Sequence, residues 1–186
     1  MLDRFRAAKQ AEIDMLLELE QQRELPKAFK GPRPSFMDGL AHGRDKHGLA
    51  VIAEYKRASP SKGVINLKLT PEDVAEAYGL GGASALSVLT EEQYFQGDLE
   101  YLSRMAGPGL PLLRKDFLLH PLQVAQTLAT PASALLVIVR MFDSDKDLAA
   151  IISVSLGAGL EPVVEIFAFN EAERAQKAGA RVIQVN

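Results

Sequence analysis

From residue 49 onward, short apolar runs alternate with amphipathic segments, each pair occupying roughly 20 to 35 residues. The runs predict strands at 51–56, 85–89, 111–116, 134–139, 162–166 and 182–186. The segments between them predict helices over 71–78, 99–105, 121–128, 144–155 and 170–177. Thr70 is placed to cap the first of these with Pro71 in its opening turn, and Gly79, Gly157 and Gly179 stand where helices should stop. Gly79-Leu80-Gly81-Gly82 precedes a strand and so offers no helix N-terminus to a phosphate; it is expected to be a turn. Strands separated by helices return in the same direction and are covered on both faces. That explains why Ala134-Leu135-Leu136-Val137-Ile138-Val139 shows no polar alternation.

Two α/β architectures fit such a repeat, a doubly wound sheet and a (β/α) TIM barrel. The loop after the first strand, Ser59-Pro60-Ser61-Lys62-Gly63, has one glycine where a dinucleotide fingerprint needs three, which favours the barrel. Ahead of it, Phe5, Ala8, Ile13, Leu16 and Leu17 recur at helical spacing over 3–23 and predict an amphipathic covering helix. Pro26, Gly31, Pro32 and Pro34 mark a linker, after which Ser35 is placed to cap a short helix over 36–40. The expected organisation is an N-terminal helical extension and linker over 1–48, then barrel units 1 to 6 over 49–186. A full barrel holds eight units in about 250 residues, so the expectation is an incomplete barrel or a piece of a longer protein.

Composition narrows the function. With 186 residues, 47% of them apolar, the chain has enough for one full core. A net charge of −3 gives no basic excess for a phosphate backbone, so nucleic acid is not the expected partner, while a small anion remains open. The absence of cysteine removes disulfides, thiolate metal sites and a cysteine nucleophile. His42, His47 and His120 lie among loop-like residues with no shared spacing, so no metal is expected. No apolar run reaches the roughly 18 residues of a membrane span, and Met1-Leu2-Asp3-Arg4 lacks the order of a signal peptide. The cytoplasm is the expected address.

A charge inside a parallel sheet is costly unless paired, so charges at strand ends ask for a reason. The first strand supplies Glu54 and Lys56, which at i and i+2 share a face. The third supplies Arg114, Lys115 and Asp116, the fifth Glu165, and the sixth ends on Asn186. In a closed barrel the C-terminal strand ends converge on one mouth, where such folds place their chemistry. A barrel-filling ion pair of Glu54 and Lys56 with no catalytic duty is the plain alternative. Arg57, Arg114 and Asp116 alternate to the other face, where pairing with helices is expected. The 59–63 loop suits a mobile lid touching an anion, or an ordinary polar turn. Tyr94, Phe95 and Phe117, just past strand ends, are candidate walls of an apolar pocket.

Four motifs in order, Ile52-Ala53-Glu54-Tyr55-Lys56-Arg57-Ala58-Ser59-Pro60-Ser61-Lys62-Gly63, Leu86-Ser87-Val88-Leu89-Thr90-Glu91 with Phe95-Gln96-Gly97, Leu113-Arg114-Lys115-Asp116-Phe117 and Val163-Val164-Glu165-Ile166, resemble the indole-3-glycerol phosphate synthase family of tryptophan biosynthesis. The resemblance runs from about residue 35 to Asn186. It implies a carboxy-lyase on a (β/α) barrel with an N-terminal helical extension. The implied reaction closes 1-(2-carboxyphenylamino)-1-deoxyribulose 5-phosphate to indole-3-glycerol phosphate with loss of carbon dioxide and water, using no metal or organic cofactor.

The resemblance places catalytic groups on Glu54, Lys56, Lys115, Glu165 and Asn186, a phosphate-side contact on Ser59, and ring walls on Phe95 and Phe117. Lys115 is expected as the main general acid and Lys56 as a cationic anchor for the substrate carboxylate or phosphate that shares in proton delivery, with these two roles interchangeable. Glu165 is expected as base or as stabiliser of the positive charge that develops on nitrogen, Glu54 to orient the lysines, and Asn186 to hold hydroxyls. The family's further βα units, with their Gly/Ser-rich phosphate ends, have no counterpart in these 186 residues, and Phe167 stands where a histidine is frequent. Two other readings stay open: a silent barrel module that pairs with another chain, and a sugar-phosphate enzyme that forms a lysine Schiff base.

Overall fold

A computed structural model describes residues 2–186. Its helices are α1 (Leu2–Gln22), α2 (Phe36–His47), α3 (Pro71–Leu80), α4 (Glu92–Phe95), α5 (Glu100–Arg104), α6 (Pro121–Leu128), α7 (Asp145–Gly157) and α8 (Phe169–Lys177). Its strands are β1 (Ile52–Tyr55), β2 (Ala58–Ser59), β3 (Gly63–Val64), β4 (Ala85–Leu89), β5 (Leu112–Lys115), β6 (Ala134–Ile138), β7 (Glu161–Ile166) and β8 (Val182–Val185). Apart from the β2–β3 ribbon, the strands form one sheet in the order β1-β4-β5-β6-β7-β8. That order follows the chain with no reversal, so the sheet has no switch point of the doubly wound kind; it is the strand order of a (β/α) barrel, here with six strands.

The chain divides into two compact units. One is Lys30–Asp116 with Thr130–Ala134; the other is the N-terminal stretch through Phe29 with Phe117–Ala129 and Leu135–Asn186. In the first unit β4 is buried at all five positions, and Leu86, Val88 and Leu112 pack with Val74 and Ala75 of α3, Tyr101 and Leu102 of α5, and Met105 just after it. In the second, Leu148, Ile151 and Ile152 of α7 are fully covered, as are Val163 and Val164 of β7. Burying such a side chain is worth about 1.5–3 kcal/mol, which is why these strands carry uninterrupted apolar runs.

Several expected boundaries move, each for a local reason. Helix α2 continues past 40 to His47, closed by Gly48 at φ 75°, so His42 and His47 are helical instead of looped. The third histidine also has a job: His120 caps α6, its Nδ1 accepting the Leu122 N–H at 3.2 Å. Helix α3 runs on to Leu80 and is capped by Gly81. Helix α7 takes in Gly157, and Gly159 at φ 75° makes the left-handed step. The 59–63 loop is the turn of the ribbon in which Ala58 pairs with Val64 and Ser59 with Gly63.

Candidate active site

In the first unit, strand register assembles the charged group. Glu54 of β1 pairs with Ser87 of β4, which pairs with Leu113 of β5; one layer further along, Leu89 pairs with Lys115. Residues so paired share a face, and so do residues two apart on one strand. Glu54, Lys56 and Lys115 therefore project together. The Lys56 ammonium donates to one Glu54 oxygen at 2.6 Å, and the Lys115 ammonium lies 3.5 Å from the other. These side chains are 34%, 30% and 22% exposed for Lys56, Glu54 and Lys115, open enough to meet a ligand and enclosed enough to keep their geometry. Beneath them the Ser87 hydroxyl is buried without a hydrogen-bond partner.

The alternate residues turn the other way. Arg57 donates to the Tyr101 hydroxyl of α5, its guanidinium 5.6 Å from that ring, and its carbonyl accepts the N–H groups of Ile65 and Asn66. The Tyr55 hydroxyl donates to the Leu69 carbonyl at 3.3 Å, and burial raises its pKa, so it stays a neutral donor. Arg114 and Asp116 bond to each other at 3.0 Å and to Thr90 just past the end of β4. Both are almost wholly buried, and so deep a charge is tolerated only with partners of this kind. The Ser59 hydroxyl accepts the Lys62 N–H at 3.2 Å and lies 3.4 Å from that of Ser61. Phe95 closes α4, half-buried, its N–H held by Glu91.

In the second unit, Glu165 of β7 pairs in register with Gln184 of β8, whose amide donates to the Glu165 carboxylate at 2.6 Å. Glu165 is buried, so this amide contact holds the carboxylate in one orientation. Sequence reasoning passed over Gln184, although its place two residues before Asn186 on the same strand face was a usable signal. Asn186 lies past the end of β8, exposed, its N–H on the Ile166 carbonyl. Phe117 stacks on Phe5 of α1 with centroids 4.2 Å apart and planes 14° apart, a partner no periodicity pointed to. Phe167 lies under the Arg140 guanidinium at 3.8 Å, while that guanidinium binds Glu171 at 2.9 Å. Among the described residues, no group of three or more His, Cys, Asp or Glu is placed to hold a metal ion.

Comparison with known proteins gives this arrangement a family. The profile described as indole-3-glycerol phosphate synthase matches residues 2–186. A relative of that name in Aquifex aeolicus (strain VF5) is 41% identical over 186 residues, covering all of this chain and 70% of its own. One in Roseiflexus castenholzii is 39% identical over all of this chain and 71% of its own, and one in Carboxydothermus hydrogenoformans 44% identical over 82% and 58%. The chain thus spans 58 to 71% of the length of these three relatives. Among solved structures, 3-hexulose-6-phosphate synthase shares the fold with TM-score 0.53 at 10% identity, covering 74% of this chain and 64% of that one.

Proposed function

The chain belongs to the indole-3-glycerol phosphate synthase family, and from that premise we propose that it carries the ring-closing chemistry of that family on a phosphorylated anthranilate–ribulose substrate. The observation that supports this most directly is the pair of ammonium groups held on the single Glu54 carboxylate. Closing an indole ring needs an acid at the ketone oxygen while the ring carbon that bears the carboxylate attacks the ketone carbon. Carbon dioxide then leaves and the ring regains its aromatic electrons. A second proton expels the new hydroxyl as water, and the neighbouring methylene gives up a proton to a base.

Lys115 is the proposed acid and Lys56 the anchor for the substrate carboxylate, each supplying a compact point charge on a flexible stem. Glu54 fixes both. Glu165, oriented by Gln184, is the proposed base, and Asn186 the holder of substrate hydroxyls. Ser59 is proposed on the phosphate side, with Phe95 and Phe117 as walls for the aromatic ring. The test is the appearance of indole fluorescence when 1-(2-carboxyphenylamino)-1-deoxyribulose 5-phosphate is added. Substituting Lys115→Ala should lower turnover by about two orders of magnitude or more, the usual worth of a positioned proton donor. Full turnover in that variant ends the assignment, and a borohydride-trapped adduct on Lys56 or Lys115 would replace it with Schiff-base chemistry.

A further inference from the structure

The dipeptide Thr90-Glu91 follows β4 and is assigned no part in the chemistry above, yet both side chains are almost fully buried, at 3% and 2% exposure. Thr90 meets three consecutive residues at and just past the end of β5. Its N–H donates to the Lys115 carbonyl at 3.1 Å, its hydroxyl donates to Asp116 at 2.6 Å, and the same oxygen accepts from the Arg114 Nε at 3.3 Å. The Arg114–Asp116 bond at 3.0 Å closes this network on the face opposite the Lys115 side chain. Lys115 is thereby clamped through its own carbonyl and through both neighbours.

Glu91 does a different job one residue later. Its carboxylate accepts the N–H groups of Gln93 at 3.1 Å, Tyr94 at 2.7 Å and Phe95 at 3.1 Å, and its carbonyl accepts the Gly97 N–H at 2.8 Å. Helix α4 has only four residues and no periodic apolar face, so this charged cap defines its conformation. Phe95 is its last residue, so the cap sets where that ring lies.

We propose that Thr90 and Glu91 are positioning residues with divided duties, Thr90 setting the place of the proton-donating Lys115 and Glu91 setting the place of the ring-binding Phe95. This rests on the proposed ring-closing reaction, and it predicts opposite kinetic signatures from adjacent residues. A displaced acid slows the chemical step, whereas a displaced wall weakens binding.

The experiment compares Thr90→Val, Thr90→Ser and Glu91→Gln with the unsubstituted chain. Steady-state kinetics is read beside trace acetylation of lysines by acetic anhydride, with Lys46, exposed on α2, as internal reference. Thr90→Val should lower kcat about tenfold or more while KM stays within about twofold, and should change Lys115 acetylation at least about threefold. Thr90→Ser, which keeps the hydroxyl, should restore both. Glu91→Gln should raise KM about tenfold with kcat within about threefold, and weaken binding of anthranilate, followed by its fluorescence, without changing Lys115 acetylation.

Unchanged Lys115 acetylation in Thr90→Val, or equal movement of kcat and KM in both variants, overturns the division. If the unsubstituted chain turns over no substrate, the proposed function falls by itself. Lysine acetylation and anthranilate binding then decide this inference alone: the stated changes uphold it and their absence overturns it.

Discussion

A single carboxylate that holds two ammonium groups makes Glu54 the residue on which the candidate chemistry turns. Substituting Glu54→Gln keeps the shape and removes the charge, leaving two like charges, formerly at 2.6 and 3.5 Å from it, with only an amide between them. All three side chains reach solvent, so water screens much of the repulsion, and the loss of unfolding free energy should stay below about 1 kcal/mol. The proposed catalysis has no such protection, because in that reaction the lysines would act only where the carboxylate puts them. A fall in kcat of about a hundredfold is expected, measured beside a urea titration. A stability loss of several kcal/mol with turnover intact would make the cluster a structural ion pair instead. This residue-level site was legible because i and i+2 placement at a strand end is a local signal. Gln184 carried the same local signal, two residues before Asn186, but its partner did not, and neither did Thr90 and Phe5, because these pairings depend on register or packing that brings together residues 19, 24 to 26 and 112 positions apart in the chain.

Helix α6 was expected at 121–128 and occupies those residues, since Pro121 and the cap before it are local instructions. Helix α2 was expected to end at 40 and runs to His47, because its glycines look like breakers and act as packing surfaces. A Cβ on Gly43 would fall 2.8 Å from the Ser84 Cβ, and one on Gly39 2.9 Å from the Ser84 carbonyl oxygen. Both contacts lie within one unit but more than 40 residues apart in sequence, beyond any window of periodicity. The same holds for Gly97, where a Cβ would meet the Glu91 carbonyl at 2.8 Å, so the glycine of the Phe95-Gln96-Gly97 motif serves packing. The two-residue strands of the ribbon and the four-residue α4 are too short to carry a period at all. Two substitutions of one kind should therefore differ in sign. Gly43→Ala must push α2 off β4 and should cost about 1–3 kcal/mol. Gly157→Ala, at the end of α7 with open space around it, should stabilise by about 0.5–1 kcal/mol. Urea midpoints at neutral pH read both, and equal signs would mean that α2 moves freely on its strand.

At the scale of the whole chain, each compact unit carries a carboxylate held below its ordinary pKa, which gives acid a defined effect on both. In the unit containing α3 and α5, hydrogen bonds from Arg104 at 2.6 and 2.9 Å hold Glu72 down to about 2. In the other, burial pushes Glu171 upward, but hydrogen bonds from Arg140 and from the Phe167 N–H together outweigh it, and the group ends below the usual carboxylate range. A group with a lowered folded-state pKa binds fewer protons folded than unfolded. Its stabilisation is complete above the ordinary value near 4.5 and drains away as the pH falls, for Glu72 down to about 2. Unfolding free energy should therefore be flat from about pH 7 to 5.5 on account of these groups and decline from about pH 5 downward. Because the Glu72 pair is exposed, high salt should shrink its share; Glu171, buried under Arg140, should keep its contribution in salt. Substituting Glu72→Gln or Glu171→Gln should lower stability at neutral pH and flatten the acid slope, the second more than the first. Identical slopes in both variants and the unsubstituted chain would show that the acid response comes from other carboxylates, and that these two bridges contribute nothing specific to either unit.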